Sequence, residues 1–457
     1  MTGRLIVVSN RIPTEEAPSG GLVVALHEAL SETGGLWIGS HPELVQTATD
    51  ALTDLSGNGY ATKAFRLTEE ERRAYYLGYA NSVLWPLCHR RSDLIRFERS
   101  FADGYLAVNR RVARAVAALA GPEDIIWIHD YHFLPLAAML RGQGVTARIG
   151  LFLHIPFPVL ADLDALPERE DFPGWIAAFD MVGLQTEADV ARCRELFRSE
   201  PSGEPLPEGR LRYRNREFLA CAIPIGIDVD AFAEAAAVGG GEYLVNLGRR
   251  EDLVIGVDRL DYSKGLPNRF RAFGQFLDGQ EKGDRRASLL QIAPPSREEV
   301  GAYQDIRDEL ERLAGYINGR HAELDWTPIR YIYRGLPREQ LAVLYRVSRV
   351  GLVTPLADGM NLVAKEYVAA QDPANPGVLV LSRMAGAAEE MTEALLVNPF
   401  DTEEMALAIG AGLDMPLAER QRRHRDLMEV VRRSDVTAWR RRCLETLRQV
   451  DRRQPVT

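Results

Sequence analysis

Cysteine is scarce in this sequence. Its four thiols, Cys88, Cys193, Cys221 and Cys443, stand far apart in 457 residues and form no metal-like pair. They fit reduced thiols in a cytoplasm, and no zinc motif is present. Long apolar runs are missing too, and the longest are too short to span a bilayer. The N-terminus, Met1 to Asn10, has one Arg and then a short apolar run ending in Ser-Asn-Arg. It reads as a buried strand rather than a signal peptide. An excess of basic charge is also absent: Lys and Arg total 55 against 65 Asp and Glu, a net charge of −10. That argues against a nucleic acid as the main partner, whereas local basic clusters still allow small anions. No G-x-G-x-x-G follows the first strand, so a dinucleotide cofactor is poorly supported. No acidic cluster is of metal-binding type, and neither a metal nor a cofactor is expected. There is no short-period repeat and no low-complexity tail.

What is present is the composition of a globular enzyme, with 46% hydrophobic and 26% charged residues in a length that suits two or three domains. Short apolar runs alternate with amphipathic helical patterns. The expected strands are Leu5–Ser9, Ile125–His129, Ile149–His154, Met181–Gln185, Leu253–Asp258, Ser288–Ile292, Ile329–Tyr333, Val350–Thr354, Val378–Ser382 and Leu395–Val397. Several are apolar on both faces, as in parallel sheets covered by helices. Helices are expected over Asp103–Leu119, Lys264–Leu277, Val300–Leu313 and Arg338–Val347. The pattern is α/β and doubly wound, with two Rossmann-like domains facing across a cleft. The turn-rich Pro224–Asp228 and the Ala/Gly-rich Ala235–Gly241 place the change of domain between residues 225 and 235. The expected domains are 1–228 and 229–435, with a last helix in 436–457 crossing back to the first.

Polar residues crowd the strand ends. The stretch Pro355–Glu366 follows an apolar strand with a Pro, an Asp-Gly turn and a helix pattern opening at Asn361, a good N-cap residue. A carboxylate and a row of free N–H groups thus meet where open α/β sheets bind ligands, and a helix start suits a phosphate. An ordinary strand–turn–helix joint would look the same. Asp258–Gly265 also follows a strand and brings Arg259 and Lys264 onto one loop. Fixed cations of this kind meet the charge that develops on a diphosphate leaving group. A surface network of Asp, Arg and Lys is the competing reading. Arg11 ends the first strand, and Ser19-Gly20-Gly21-Leu22 precedes a helix pattern over Val23–Leu30. A Gly pair lets backbone N–H groups approach an anion, and an Arg clamps phosphate; a plain turn with a surface Arg explains them equally. Trp127–His132 and Phe152–Pro158 put Asp130, His129, His132 and His154 at strand ends. Asp130 could accept hydrogen bonds from sugar hydroxyls, while the histidines are equally readable as structural. Arg297 follows another strand, and Tyr75, Tyr76 and Trp85 are either core aromatics or a stacking floor for a sugar.

Taken together these segments resemble the trehalose-6-phosphate synthase family, retaining glycosyltransferases of the two-Rossmann-domain (GT-B) type. The resemblance runs from Val7 to Trp439. It rests on residues 7–11, 19–22, 83–86, 127–132, 154–158, 259–265 and 358–366, which match the family's motifs in order and spacing. It implies a glucose 6-phosphate site made of Arg11, Tyr76, Trp85, Asp130 and Arg297, with Arg11 and Arg297 on the phosphate. It implies a nucleotide-sugar site made of Gly21, His154, Arg259, Lys264, Asp358, Gly359, Met360, Asn361, Leu362, Val363 and Glu366. There Arg259 and Lys264 hold the diphosphate, Glu366 binds ribose hydroxyls, and Asp358 and His154 bind glucose hydroxyls. Arg259, Lys264, His154 and Asp358 are the residues expected to carry catalysis. The implied reaction moves glucose from a nucleotide-diphosphate glucose to glucose 6-phosphate with retention, by front-side attack and without a protein nucleophile.

The base of the donor is not readable from the residues; UDP-glucose is the expected one. Two departures from the family pattern stand out: Arg198–Arg216 is short and different, and Asp258 replaces a Glu. The length leaves no room for the phosphatase-like domain that some relatives carry. A glucosylglycerol-phosphate synthase is the near alternative, disfavoured by Arg11. A non-catalytic sugar-phosphate sensor is the alternative from another class, disfavoured by Arg259 and Lys264. A glycoside hydrolase would need a facing carboxylate pair, for which Asp130 and Glu366 are the candidates. A homo-oligomer is compatible with the sequence.

Overall fold

The computed structural model describes residues 3–12, 26–27, 29–32, 34–55, 59–238, 251–280, 286–297 and 301–450. The chain divides into two compact units, one made of Met1–Pro224 and Val436–Thr457, the other of Ile225–Asp435.

The first unit is built on a ten-stranded sheet. Its strands are β1 (Leu5–Arg11), β2 (Leu36–Ser40), β3 (Thr53–Leu55), β4 (Ala61–Phe65), β5 (Ile125–His129), β6 (Arg148–Phe152), β7 (Met181–Leu184), β8 (Gly203–Pro205), β9 (Arg210–Tyr213) and β10 (Arg216–Ala222), in the order β3-β4-β2-β1-β5-β6-β7-β10-β9-β8. The parallel core, β4-β2-β1-β5-β6-β7, winds outward in both directions from the β1/β5 pair. That is the 3-2-1-4-5-6 order of doubly wound nucleotide folds, whose ligands sit where the order reverses. β1 and β5 are apolar on both faces because helices cover both; Ile6, Val7, Val8, Ile126, Trp127 and Ile128 have no more than 0% exposure. The Arg198–Arg216 stretch contributes to the antiparallel end of this sheet, in β8 and β9. These strands, like β2, β3 and β4, were not expected. Antiparallel and edge strands need only one buried face, so Arg210–Tyr213 alternates basic with apolar or aromatic residues and carries no apolar run; Arg216–Ala222 does carry one, Phe218–Ala222, and pairs parallel with β7 and antiparallel with β9.

The second unit has six strands, all parallel: β11 (Asp252–Val257), β12 (Ala287–Ile292), β13 (Ile329–Ile332), β14 (Val350–Val353), β15 (Val378–Ser382) and β16 (Leu395–Val397). Their order, β13-β12-β11-β14-β15-β16, repeats the same winding and places the reversal between β11 and β14. Helices α1 (Arg99–Ala117) and α2 (Glu187–Ser199) belong to the first unit. Helices α3 (Leu266–Asp278), α4 (Gly301–His321), α5 (Arg338–Val347) and α6 (Leu362–Ala370) belong to the second. The last helix, α7 (Val436–Gln449), is part of the first unit, where its Leu447 lies over Gly150 of β6 so closely that an added Cβ would meet it at 2.8 Å. Among the described residues no helix is long and apolar enough to cross a membrane. The Ala/Gly-rich stretch begins inside a helix, Val229–Val238, and residues 239–250 lie outside the described residues.

One buried cation organises the second unit. Arg269 lies on the apolar face of α3, with Leu266, Phe270 and Phe273, and is 0% exposed. Its guanidinium donates to Asp258 Oδ2 at 2.7 Å, to Gln291 Oε1 at 2.9 Å and to Thr354 Oγ1 at 3.1 Å. Those acceptors lie just after β11, within β12 and just after β14, so one side chain ties three adjacent strands at their carboxyl ends. Burial holds the Asp258 carboxyl above its usual range, and Arg269 and Lys264 oppose that shift. Losing Arg269 would leave Asp258 buried without its cation, which costs about 3–5 kcal/mol. Arg269→Met is therefore expected to lower the free energy of unfolding by that amount in urea titrations. Adding Asp258→Asn should recover part of the loss, because no buried charge then remains uncompensated. Equal stability of Arg269→Met and the parent would contradict this role.

Candidate active site

At the β11/β14 reversal two loops leave neighbouring strands and meet. Asp258 and Arg259 follow β11, and the Arg259 side chain is exposed. A tight turn at Tyr262–Lys264 is held by Asp261, whose Oδ1 accepts from the Ser263 amide at 2.9 Å. Gly265 then opens α3 with φ +68°; an added Cβ would sit 2.4 Å from the Thr354 carbonyl oxygen, so this turn requires glycine. The second loop runs from Thr354 to Asn361 and is tied to the first by the Leu356 amide donating to the Ser263 carbonyl at 2.7 Å. Across this junction Lys264 Nζ reaches Asp358 Oδ2 at 2.5 Å. The pair is nearly buried, with side chains 11% and 13% exposed. An ammonium and a carboxylate thus neutralise one another at the spot where α6 presents its first amides. An arriving anion would compete with Asp358 for Lys264.

Asn361 precedes α6, but it does not cap the helix as the sequence suggested. Its backbone is left-handed (φ 72°) and its side chain makes no capping bond; instead Nδ2 donates to Asp358 Oδ2 at 3.0 Å. The first amides of α6 are therefore not occupied by that side chain, and a helix N-terminus in this state favours an anion. Leu362 and Val363 are partly exposed there, and Gly359 and Met360 are buried beneath. One turn further, the Tyr345 hydroxyl on α5 donates to Glu366 at 3.4 Å. Burial pushes the Glu366 carboxyl up to about 7, with Arg338 and Tyr345 opposing. Lys365 faces the other way, 0% exposed, donating to the Ile225 carbonyl at 2.8 Å and pairing with Glu390 at 3.0 Å. Arg297, beyond β12, also belongs to this unit. Its side chain is 6% exposed, 3.3 Å from Asp261 Oδ2, and it donates to the Tyr303 hydroxyl at 2.7 Å.

The β1/β5 reversal of the first unit gathers the other expected residues. Arg11 ends β1 and donates to the Tyr76 hydroxyl at 3.1 Å, its guanidinium 5.7 Å from the ring centre. Both line an open pocket of about 410 Å³ together with Asn10, Ser40, His41 and Arg72. Tyr76 rises from Arg72–Leu84, which is wound as a π-helix. Such wide turns are rare and recur at functional sites. Tyr76 stacks on His132 at 5.9 Å, and Trp85, itself buried, stacks on His89 at 4.0 Å. Asp130 follows β5 and accepts from the His154 amide at 3.3 Å. His154 Nε2 in turn lies 3.1 Å from His129 Nδ1. Gly21 and its Ser-Gly-Gly-Leu segment lie outside the described residues, as do positions 23–25 and 28 of the expected Val23–Leu30 helix, whose positions 26, 27, 29 and 30 are helical.

Arg11, Tyr76, Trp85, Asp130 and His154 thus belong to the first unit, and Arg259, Lys264, Arg297, Asp358–Val363 and Glu366 to the second. Backbone strain singles out some of the same positions. Of six non-glycine residues with positive φ among those described, three are Asp130, Arg297 and Asn361. Sequence reasoning missed Arg269 and Asp261, which hold the loops, and His41 and Arg72, which share the pocket with Arg11. A charge placed on the apolar stripe of α3 was the available signal for Arg269. Among the described residues no group of three or more His, Cys, Asp or Glu is placed to hold a metal ion.

Residues 5–449 match the model of glycosyltransferase family 20. A trehalose-6-phosphate synthase of Cronobacter sakazakii is 44% identical over 460 residues, covering 99% of this chain and 96% of its own. A crystal structure of an α,α-trehalose-phosphate synthase (UDP-forming) from Burkholderia vietnamiensis superposes with a TM-score of 0.95 at 47% identity, covering 98% of each chain. A corresponding enzyme from Burkholderia xenovorans, in complex with glucose 6-phosphate, gives 0.92 at 45% identity over 98% of this chain and 100% of its own.

Asp130 generates a test that needs no substrate. Its φ of 73° and ψ of 173° lie where essentially only glycine is unstrained. Asp130→Ala keeps that strain and loses the bond from His154, whereas Asp130→Gly relieves it. The Gly variant is expected to unfold about 1–3 kcal/mol later than the Ala variant in denaturant. The opposite order would show that the backbone here carries no strain.

Proposed function

The chain belongs to glycosyltransferase family 20, and from that premise we infer its reaction. It is a retaining glycosyltransferase of the GT-B fold that moves glucose from UDP-glucose to glucose 6-phosphate, forming α,α-trehalose 6-phosphate. The observation that carries the reading within the molecule is the meeting of Arg259, Lys264 and the start of α6 at the β11/β14 reversal. Fixed cations and helix amides are what a departing nucleoside diphosphate requires.

The roles of individual residues are part of the proposal. Arg259 and Lys264 hold the diphosphate, with the amides of Asn361, Leu362 and Val363 beside them. Gly359 and Met360 shape that loop, and Gly21 offers a backbone amide to the donor. Asp358 and His154 bind glucose hydroxyls, and Glu366 binds ribose hydroxyls. Arg11 and Arg297 take the acceptor phosphate, with Tyr76, Trp85 and Asp130 against the sugar. The first unit is then the acceptor-binding domain and the second the donor-binding domain.

In this scheme the acceptor hydroxyl bonds to the anomeric carbon on the face that the diphosphate leaves. The carbon–oxygen bond to the diphosphate breaks, and the hydroxyl proton passes to a diphosphate oxygen. The bond formed replaces the bond lost on the same face, so the α configuration is kept. The protein supplies orientation and fixed charge rather than a nucleophile. A cytoplasmic setting without a nucleic-acid partner belongs to the same proposal, supported by four free thiols and the net negative charge.

A panel of UDP-, GDP- and ADP-glucose with either glucose 6-phosphate or glycerol 3-phosphate, read as nucleotide release, tests the reaction. Release with UDP-glucose and glucose 6-phosphate is expected; release only with glycerol 3-phosphate would overturn it. Glu366 adds a pH signature. Its carboxyl is raised to about 7 in the free protein, and ribose hydroxyls donate to the ionised form. Donor affinity should therefore weaken as pH falls through about 7, by up to about tenfold per pH unit. Glu366→Gln should flatten that profile, and an unchanged slope in the variant would remove Glu366 from the donor site.

A further inference from the structure

His129 and His154 stand in the first unit with their ring centres 5.4 Å apart and their planes 25° from parallel, and they meet edge to edge, His129 Nδ1 and His154 Nε2 being separated by 3.1 Å. Burial lowers the basicity of both, His129 well below the usual imidazole range and His154 to about 3. Two neutral imidazoles carry one N–H each, so one of the facing nitrogens donates and the other accepts.

Two arrangements meet that condition. If His154 Nε2–H donates, His129 must carry its own proton on Nε2. If His129 Nδ1–H donates, His129 Nε2 is a bare lone pair and His154 carries its proton on Nδ1. The environment of His129 Nε2 separates them. That atom is buried and has no hydrogen-bond partner among the described residues. The indole rings of Trp127 and of Trp439 of α7 lie against the His129 ring, with ring centres 4.5 Å and 6.4 Å away. Among the described residues their indole N–H groups, also buried, have no acceptor. A proton on His129 Nε2 would be a buried donor with no acceptor among the described residues. A buried N–H without a partner is the rarer defect, and an unpaired acceptor is the better-tolerated one.

We propose that His129 is a positioning residue: it donates Nδ1–H to His154 Nε2 and so fixes the His154 proton on Nδ1, making His154 a hydrogen-bond donor toward a sugar hydroxyl. His154 is half-buried, and its Nδ1 makes no hydrogen bond among the described residues. Its backbone amide is held by the Asp130 carboxylate, so ring and main chain are both anchored from strand ends of one sheet. Trp439 lies against both imidazoles, 6.1 Å from His154, and closes the pair off from the side of the C-terminal helix. The proton position is the opposite of the one a free imidazole prefers in water, so it has to be imposed. The link to sugar binding rests on the transfer reading above; the tautomer does not.

The test is a long-range proton–nitrogen correlation spectrum of the full-length protein labelled with ¹⁵N-histidine. Both residues are expected in the Nδ1–H form; His154 in the Nε2–H form would overturn the proposal whatever the enzyme's activity. His129→Asn keeps an N–H near the position of Nδ1, and His129→Leu removes it. With UDP-glucose and glucose 6-phosphate, His129→Leu should lose about tenfold in kcat, roughly one hydrogen bond to the substrate. Its acceptor KM should hold, and His129→Asn should restore most of the rate. Equal rates in the Leu variant and the parent would overturn the link to transfer. Should the Leu variant not fold, the spectrum of the unaltered protein and the Asn variant decide. Absence of turnover in a parent protein with the expected tautomer would instead contradict the transfer reading.

Discussion

A reversal of strand order governs each unit. Where β1 adjoins β5, and again where β11 adjoins β14, successive connections leave the sheet toward opposite faces. Their first residues are then left uncovered at the carboxyl ends of the strands. Loop amides, helix starts and polar side chains converge there with no helix in the way. Arg11 and Asp130 occupy that position in the first unit, and Arg259, Lys264 and Asp358 in the second. The remainder of each sheet is an apolar scaffold that keeps those ends in register.

Charge is what makes the second reversal costly to build and useful once built. Arg269 is buried at the base of the two loops and is neutralised by Asp258. Lys365, on the buried face of α6, is neutralised by Glu390, whose other oxygen accepts from Ser434 at 2.7 Å. Above them Lys264 and Asp358 are paired but close to solvent. The graded burial matters: the deep pairs fix loop geometry because separating them strands a charge, whereas the shallow pair can exchange partners with an anionic ligand. Glu366, held by burial at a raised pKa, is likewise tuned by its surroundings rather than by a fixed partner.

Much of this was legible in the residue order. Strands buried on both faces announce themselves as apolar runs, so the cores of both sheets and the polar residues just beyond them could be read directly. An antiparallel strand such as Arg210–Tyr213 hides because only alternate residues are buried. Asn361 was legible as a helix boundary but not as a left-handed residue hydrogen-bonded to Asp358, since that depends on a loop fixed by another strand. Arg269 and Lys365 were overlooked because a charge in an apolar stripe looks like noise until the carboxylate that neutralises it is known to be adjacent. The His129–His154 contact joins residues from two neighbouring strand ends, and only the sheet order brings them together.

The central claim is a division of labour: donor recognition by the β11/β14 reversal and acceptor recognition by the β1/β5 reversal. Calorimetric titration of Arg259→Ala and Arg11→Ala with UDP and with glucose 6-phosphate tests it most directly. The account predicts a crossed result. Arg259→Ala should lose about tenfold or more in UDP affinity, the worth of a charge-assisted contact, while keeping glucose 6-phosphate, and Arg11→Ala should do the reverse. Loss of both ligands in either variant, or the opposite pairing of variant and ligand, would contradict it.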